Sequence, residues 1–99
     1  MYTGQYYNMQ KMICKKCLVS GRVQGVFYRE TTRRQAEAAR LQGHAFNLPD
    51  GRVEVLLCGP EQHVEQISQW LWQGSTYSSV SDVQCKVIET HSPVGFTTG

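Results

Sequence analysis

The stretch ICKKCLVSGRVQGVFYRETTRRQAEAARL, residues 13–41, holds three kinds of local order in succession. Ile13–Ser20 is a short run with Ile and Val near its ends, closed by Gly21. It reads as a strand, although Lys15 and Lys16 interrupt the alternation. Gly21–Phe27 (GRVQGVF) contains two glycines and reads as a loop. Tyr28–Leu41 sets Tyr28, Thr32, Ala36 and Ala39 at helical spacing, with most arginines on other faces, which makes an amphipathic helix of good helix formers. A strand therefore runs through a glycine-bearing loop directly into a helix.

The rest of the chain extends this pattern. Gly43 separates the helix from a short strand, His44–Leu48, and Pro49-Asp50-Gly51 is a turn in which Pro fixes φ and Asp-Gly tolerates positive φ. Arg52–Cys58 alternates, with Val53, Val55 and Leu57 on one face. Gly59-Pro60-Glu61 opens a second helix with Pro at an early position and Glu at the positive end of the dipole. Val64, Ile67 and Leu71 form its apolar stripe, Trp70 flanks them, and Gly74 closes it. After a polar loop, Ser75–Ser79, the segment Val80–Ile88 alternates through Val83, Cys85 and Val87. Ser92-Pro93 breaks the pattern, leaving residues 95–99 as a short edge strand. The order β-α-β-β-α-β predicts an α+β, ferredoxin-like sandwich. Its antiparallel sheet has four main strands, a short C-terminal edge strand beside them, and two helices on one face.

The 99 residues suffice for one domain, and 40% hydrophobic residues with a mean hydropathy of −0.40 describe a chain that buries a core and stays in water. No apolar run reaches the roughly 18–20 residues of a membrane-spanning helix. Residues 1–12 (MYTGQYYNMQKM) are polar and Tyr-rich, without an apolar segment or cleavage site, and read as a loosely ordered leader before a domain at 13–99. A cytoplasmic setting, with reduced thiols, is the corresponding expectation. The net charge of +2 conceals an asymmetry: residues 1–40 carry eight Lys/Arg against two acidic residues, and residues 41–99 carry two against six. A basic front half points to an anionic partner, either a small phosphate-bearing molecule or nucleic acid.

The loop before the first helix has the makings of an anion site. Successive backbone N–H groups and the orphan donors of a first helical turn form a concavity that suits phosphate. Gly21 and Gly25 permit positive φ or close approach, and Arg29 can add a bidentate guanidinium contact. The same residues also read as a glycine-rich turn followed by a solvated arginine. Asn47 ends the second strand, and topology gives it a place: strands one and two run the same way, so their ends share one sheet edge. A neutral amide there can hold a water near bound phosphate by accepting and donating hydrogen bonds, although Asn before a turn is also ordinary. The loop lacks the GK[ST] of a Walker site and any cysteine nucleophile, since Cys17 lies twelve residues before Arg29 on a strand. No HExxH, paired CxxC or carboxylate cluster suggests a metal.

With loop, helix and Asn47 in place, the chain resembles the acylphosphatase family. The likeness rests on GRVQGVFYR (Gly21–Arg29), Gly43–Asn47, DGRVEV (Asp50–Val55), Gly59 and Trp70-Leu71, in order and spacing across roughly residues 13–90. It implies hydrolysis of the carboxyl–phosphate anhydride of small acyl phosphates. Arg29 matches the family's phosphate-binding arginine, Asn47 the asparagine that positions the attacking water, and the backbone N–H groups of Gln24, Gly25 and Val26 the phosphate cradle. It further implies no metal or cofactor, with the substrate's own phosphate helping to accept the water's proton. The expected partners are a small acyl phosphate and its product phosphate, with no nucleic acid, no membrane, and a monomeric state. Departures are His44 where relatives carry Trp or Tyr, Gly74-Ser75 in place of Gly-Pro, and a short C-terminus. His44 reads as structural, and the short end bears on the edge strand rather than the chemistry.

Cysteine placement follows from the faces. Cys17 shares a face with Val19, and Cys85 with Val83 and Val87, so both read as small buried hydrophobes. Cys14 and Cys58 fall on the opposite face, and a register pairing Ser20 with Arg52 also pairs Cys14 with Cys58, which predicts a cross-strand disulfide on oxidation. The Cys14–Cys17 spacing gives no zinc site, because i and i+3 on a strand face opposite ways. The competing readings are an RNA-binding module and a catalytically silent regulatory domain. The outward positions Lys16, Leu18, Glu54 and Leu56 offer no aromatic platform for bases, and Arg29 with Asn47 intact disfavours silence.

Overall fold

The computed structural model describes residues 11–99. Its elements are β1 (Met12–Arg22), α1 (Tyr28–Ala38), β2 (Gln42–Asn47), β3 (Val53–Pro60), α2 (Glu61–Trp70), β4 (Ser79–Ile88) and β5 (Phe96–Thr98). The strands form one sheet in the order β4-β1-β3-β2-β5. β1 pairs antiparallel with β3 and β4, and β2 antiparallel with β3, while β5 pairs parallel with β2. The sheet is thus mixed rather than wholly antiparallel. β4, antiparallel to β1, ends at the far side of the sheet, so the chain enters β5 from that side and must run the way β2 runs.

Most of the expected leader, residues 1–10, lies outside the described residues. Met12 already belongs to β1, and the Lys11 carbonyl accepts the Glu61 N–H at 2.9 Å. Helix α1 stops three residues before the predicted end at Leu41. Arg40 takes a left-handed conformation (φ 60°), and the Leu41 N–H turns back to the Ala36 carbonyl at 2.8 Å, closing the helix and burying Leu41. β2 starts at Gln42 and includes Gly43, read above as a spacer. A Cβ on Gly43 would lie 1.8 Å from the Leu56 carbonyl oxygen, so glycine there sets the approach of β2 to β3.

Alternation sorts the strands as expected. Cys17, Val19, Ala45, Val53, Val55 and Leu57 face the helices and are buried against Tyr28, Thr32 and Ala36 of α1 and Val64 and Ile67 of α2. Each Val, Leu and Ile among them contributes about 1.5–3 kcal/mol on burial. On the opposite face Cys14, Leu56 and Cys58 form a small cluster with Ile88 beside it.

The predicted β1–β3 register holds, with Cys14 opposite Cys58, and these two form a disulfide. Cys17 and Cys85, expected as buried free thiols, instead oppose each other across β1 and β4 and are also disulfide-bonded. Cys17 is buried but Cys85 is exposed. The reason is the reach of the helices: α1 packs on β2 and β5, and α2 on β3 and β1, so the helix-side face of edge strand β4 is left open.

Candidate active site

β1, β2 and β5 all run toward one edge of the sheet, so Arg22, Asn47 and Thr98 end there together. The loop from Val23 to Phe27 leaves β1 at this edge. Just before it, a β-bulge at Ser20/Gly21 shifts the register with β4. Gly21 (φ 122°) is required at the bulge, since a Cβ would sit 2.3 Å from the Ser79 carbonyl oxygen.

Four hydrogen bonds from three side chains fix the loop's shape. The Gln24 amide donates to the carbonyls of Leu48 and Arg52, both at 2.9 Å, tying the loop to the turn that follows Asn47. The buried Ser75 hydroxyl donates to the Val26 carbonyl at 2.7 Å. The buried Tyr28 hydroxyl donates to the Leu71 carbonyl at 2.7 Å, locking the start of α1 to the end of α2. Burial raises the Tyr28 phenol pKa well above its ordinary value. Because the loop is held through side chains and carbonyls, its N–H groups remain available. Among the described residues, the amides of Gln24, Gly25, Val26 and Phe27 donate to no protein acceptor, and α1 has no side-chain N-cap.

Arg29 sits in the first turn of α1, beside a cavity of about 370 Å³ lined by Val23, Gly25, Phe27, Tyr28, Glu30 and Thr98 as well as Arg29 itself. Its Nη1 donates to the Gly99 carbonyl at 2.6 Å. The Gly99 N–H in turn reaches the Ala45 carbonyl at 3.3 Å, so β5 and the residue after it hold the guanidinium from the β2 side. Glu30 is engaged elsewhere: hydrogen bonds from Arg33, and then from Arg34, hold its carboxyl below the usual range. Among the described residues Arg29 forms no ion pair, which leaves a cationic fork and free amides around one cavity. A site so built suits a tetrahedral anion.

Asn47 is exposed at the end of β2, paired with Val53 and on the Ala45 face by alternation. It does not line the cavity of Arg29, but Gln24 joins its neighbour Leu48 to the loop, so both predicted residues belong to one sheet edge. His44 points to the opposite face. Its Nε2 lies 2.8 Å from Glu54 Oε2, and its ring stacks on Phe46 with centroids 4.1 Å apart.

Sequence reading placed Gln24 as a backbone donor, whereas its side chain is what pins the loop. It also missed Ser75, Thr98 and Gly99. The parallel run of β5 was available from strand order, but Ser75 stood in a polar loop with no distinguishing pattern. Phe27 is a further surprise, with its backbone left-handed (φ 63°) at a cost of about 1–2 kcal/mol for a residue bearing a Cβ.

Known proteins agree with this architecture. Residues 15–98 match the sequence pattern of the acylphosphatase family. An acylphosphatase of Chromohalobacter salexigens is 51% identical over 86 residues, covering 87% of this chain and 96% of that protein. One from Nitrosococcus oceani is 47% identical over 76 residues, covering 77% and 85%. Among solved structures, an acylphosphatase from Coxiella burnetii superposes with a TM-score of 0.87 at 34% identity, covering 92% of this chain and 98% of that one. Matched along nearly its whole described length in both sequence and backbone, the chain belongs to the acylphosphatase family.

Proposed function

We propose that this enzyme hydrolyses small acyl phosphates by direct attack of water on phosphorus, with Arg29 and Asn47 as its two catalytic side chains. The unpartnered amides of Gln24–Val26 beside the Arg29 cavity carry the reading. These donors and the guanidinium bind the non-bridging phosphate oxygens, and their hydrogen bonds strengthen as charge gathers on those oxygens in the transition state. The side-chain amide of Asn47 holds the water by accepting a hydrogen bond from it and donating one to its oxygen or to phosphate.

Attack forms the new P–O bond and breaks the bond to the acyl oxygen. The carboxylate departs with that electron pair, and the water's proton passes to a phosphate oxygen. A carboxylate is a weak base, so its departure calls for no general acid. No side chain on this sheet edge has to serve as a base. Catalysis is then positioning and electrostatic stabilisation. A dissolved substrate, no metal or cofactor, no nucleic-acid partner and a cytoplasmic monomer, in which the paired cysteines Cys14/Cys58 and Cys17/Cys85 close their disulfides only on oxidation, complete the reading. The test is turnover of benzoyl phosphate by the purified chain in excess EDTA. Steady release of phosphate and benzoate is expected, and absence of turnover, or its restoration only by added metal, would overturn the reading.

A further inference from the structure

Phe27 is placed where neither the backbone nor the core has use for it. Its neighbours Val26 and Tyr28 are buried, yet Phe27 is 71% exposed. Its left-handed backbone (φ 63°, ψ 19°) suits glycine or asparagine better, and Gly25 two residues earlier (φ 72°) supplies that conformation without a side chain. The backbone role is complete without the ring. The Phe27 carbonyl accepts from the Thr31 N–H at 3.0 Å and the Thr31 hydroxyl at 2.8 Å, and any residue would provide that oxygen. An apolar ring is thus kept in water, on a strained backbone, at the border of the cavity that holds Arg29.

The cavity has two chemical sides: Arg29 and the loop amides are polar, whereas Phe27 and Val23 are apolar. In an acyl phosphate the carbonyl carbon is joined to phosphorus through a single oxygen. Once the phosphate is seated, the acyl group must lie at the border of its cradle. We infer that Phe27 is a specificity-determining residue whose ring packs against the acyl group, so that the enzyme favours acyl phosphates with aryl or branched aliphatic acyl groups over acetyl-sized ones. The inference rests on the acyl phosphate hydrolysis proposed above. It adds to that reading a substrate class, and a reason for an exposed aromatic in a strained position.

Phe27→Asn and Phe27→Gly both tolerate the left-handed backbone and remove the ring, while Phe27→Leu keeps apolar bulk. The measurements are kcat/KM for benzoyl phosphate and for acetyl phosphate, with the inhibition constant of inorganic phosphate as a separate readout of the cradle. The ratio of benzoyl to acetyl phosphate is expected to fall about tenfold in the Asn and Gly variants, the scale of a lost apolar contact in a pocket. Leu should retain most of the ratio, and phosphate inhibition should stay within about twofold in all three, because no phosphate donor has been removed. A ratio unchanged in both ring-less variants would overturn the inference. So would an equal loss on both substrates with weakened phosphate inhibition, which would make Phe27 a loop-shaping residue. Failure of the unaltered protein to hydrolyse either substrate would instead bring down the reaction itself.

Discussion

The proposed reaction gives Arg29 and Asn47 different duties at one end of the sheet, and single substitutions should separate them. Arg29→Ala removes the cationic fork from a cavity whose other charged group, Glu30, is held by Arg33 and Arg34. It should lower kcat/KM at least about 10³-fold and abolish inhibition by phosphate. Asn47→Ala leaves the cradle intact and should lower kcat by about 10²–10³-fold, with phosphate inhibition nearly unchanged. Retained turnover in both variants, measured with benzoyl phosphate, would reassign the roles. Tyr28 works at the same scale through stability. Burial raises its pKa in the folded state, so the unfolded chain releases the proton first as pH rises past the ordinary value of 10.0. The stabilising contribution is complete below that pH and is lost above it, by about 1.4 kcal/mol per pH unit. Tyr28→Phe should cost about 1 kcal/mol at neutral pH by stranding the Leu71 carbonyl, and should flatten the alkaline fall in denaturation midpoint.

At the scale of elements, the close approach of β2 to β3 depends on a glycine. Gly43→Ala would drive a Cβ into the Leu56 backbone at a φ of +149° and should destabilise the fold by more than about 3 kcal/mol, read from urea midpoints. The alternation of Val53, Val55 and Leu57 was legible, as were the α1 face of Tyr28, Thr32 and Ala36 and the β1–β3 register. In each case a short period in sequence maps onto one buried face. The end of α1 was not legible, because Arg40 adopts a left-handed cap that its residue type does not advertise. Nor were the supports of the site. Gln24, Ser75 and Gly99 act across separations of 24, 49 and 70 residues, on partners that only the folded chain supplies. Arg29 and the glycine loop stand out by local pattern alone, whereas what steadies them is tertiary.

For the whole molecule, the two disulfides matter most. Cys14–Cys58 spans 44 residues and Cys17–Cys85 spans 68, and loops of this size are worth about 4 kcal/mol each in the chain-entropy treatment, or about 2–4 by experience. Reduction should therefore lower the thermal midpoint by at least about 10 °C. Non-reducing peptide mapping should recover both pairings, and a midpoint unmoved by reductant would deny them that weight. The bonds leave opposite faces of the same strand, one toward β3 and one toward β4, while β2, β5 and α1 carry none. In hydrogen-exchange terms this divides the molecule into a stapled spine, β4-β1-β3, and an unstapled flank that can open while the spine stays closed. Arg29 and Asn47 both belong to the flank. Slow amides along β1 beside faster ones in β2 and β5 would be the signature. Opening of that flank would then move the edge that carries the proposed site while the disulfide-fastened strands keep their register.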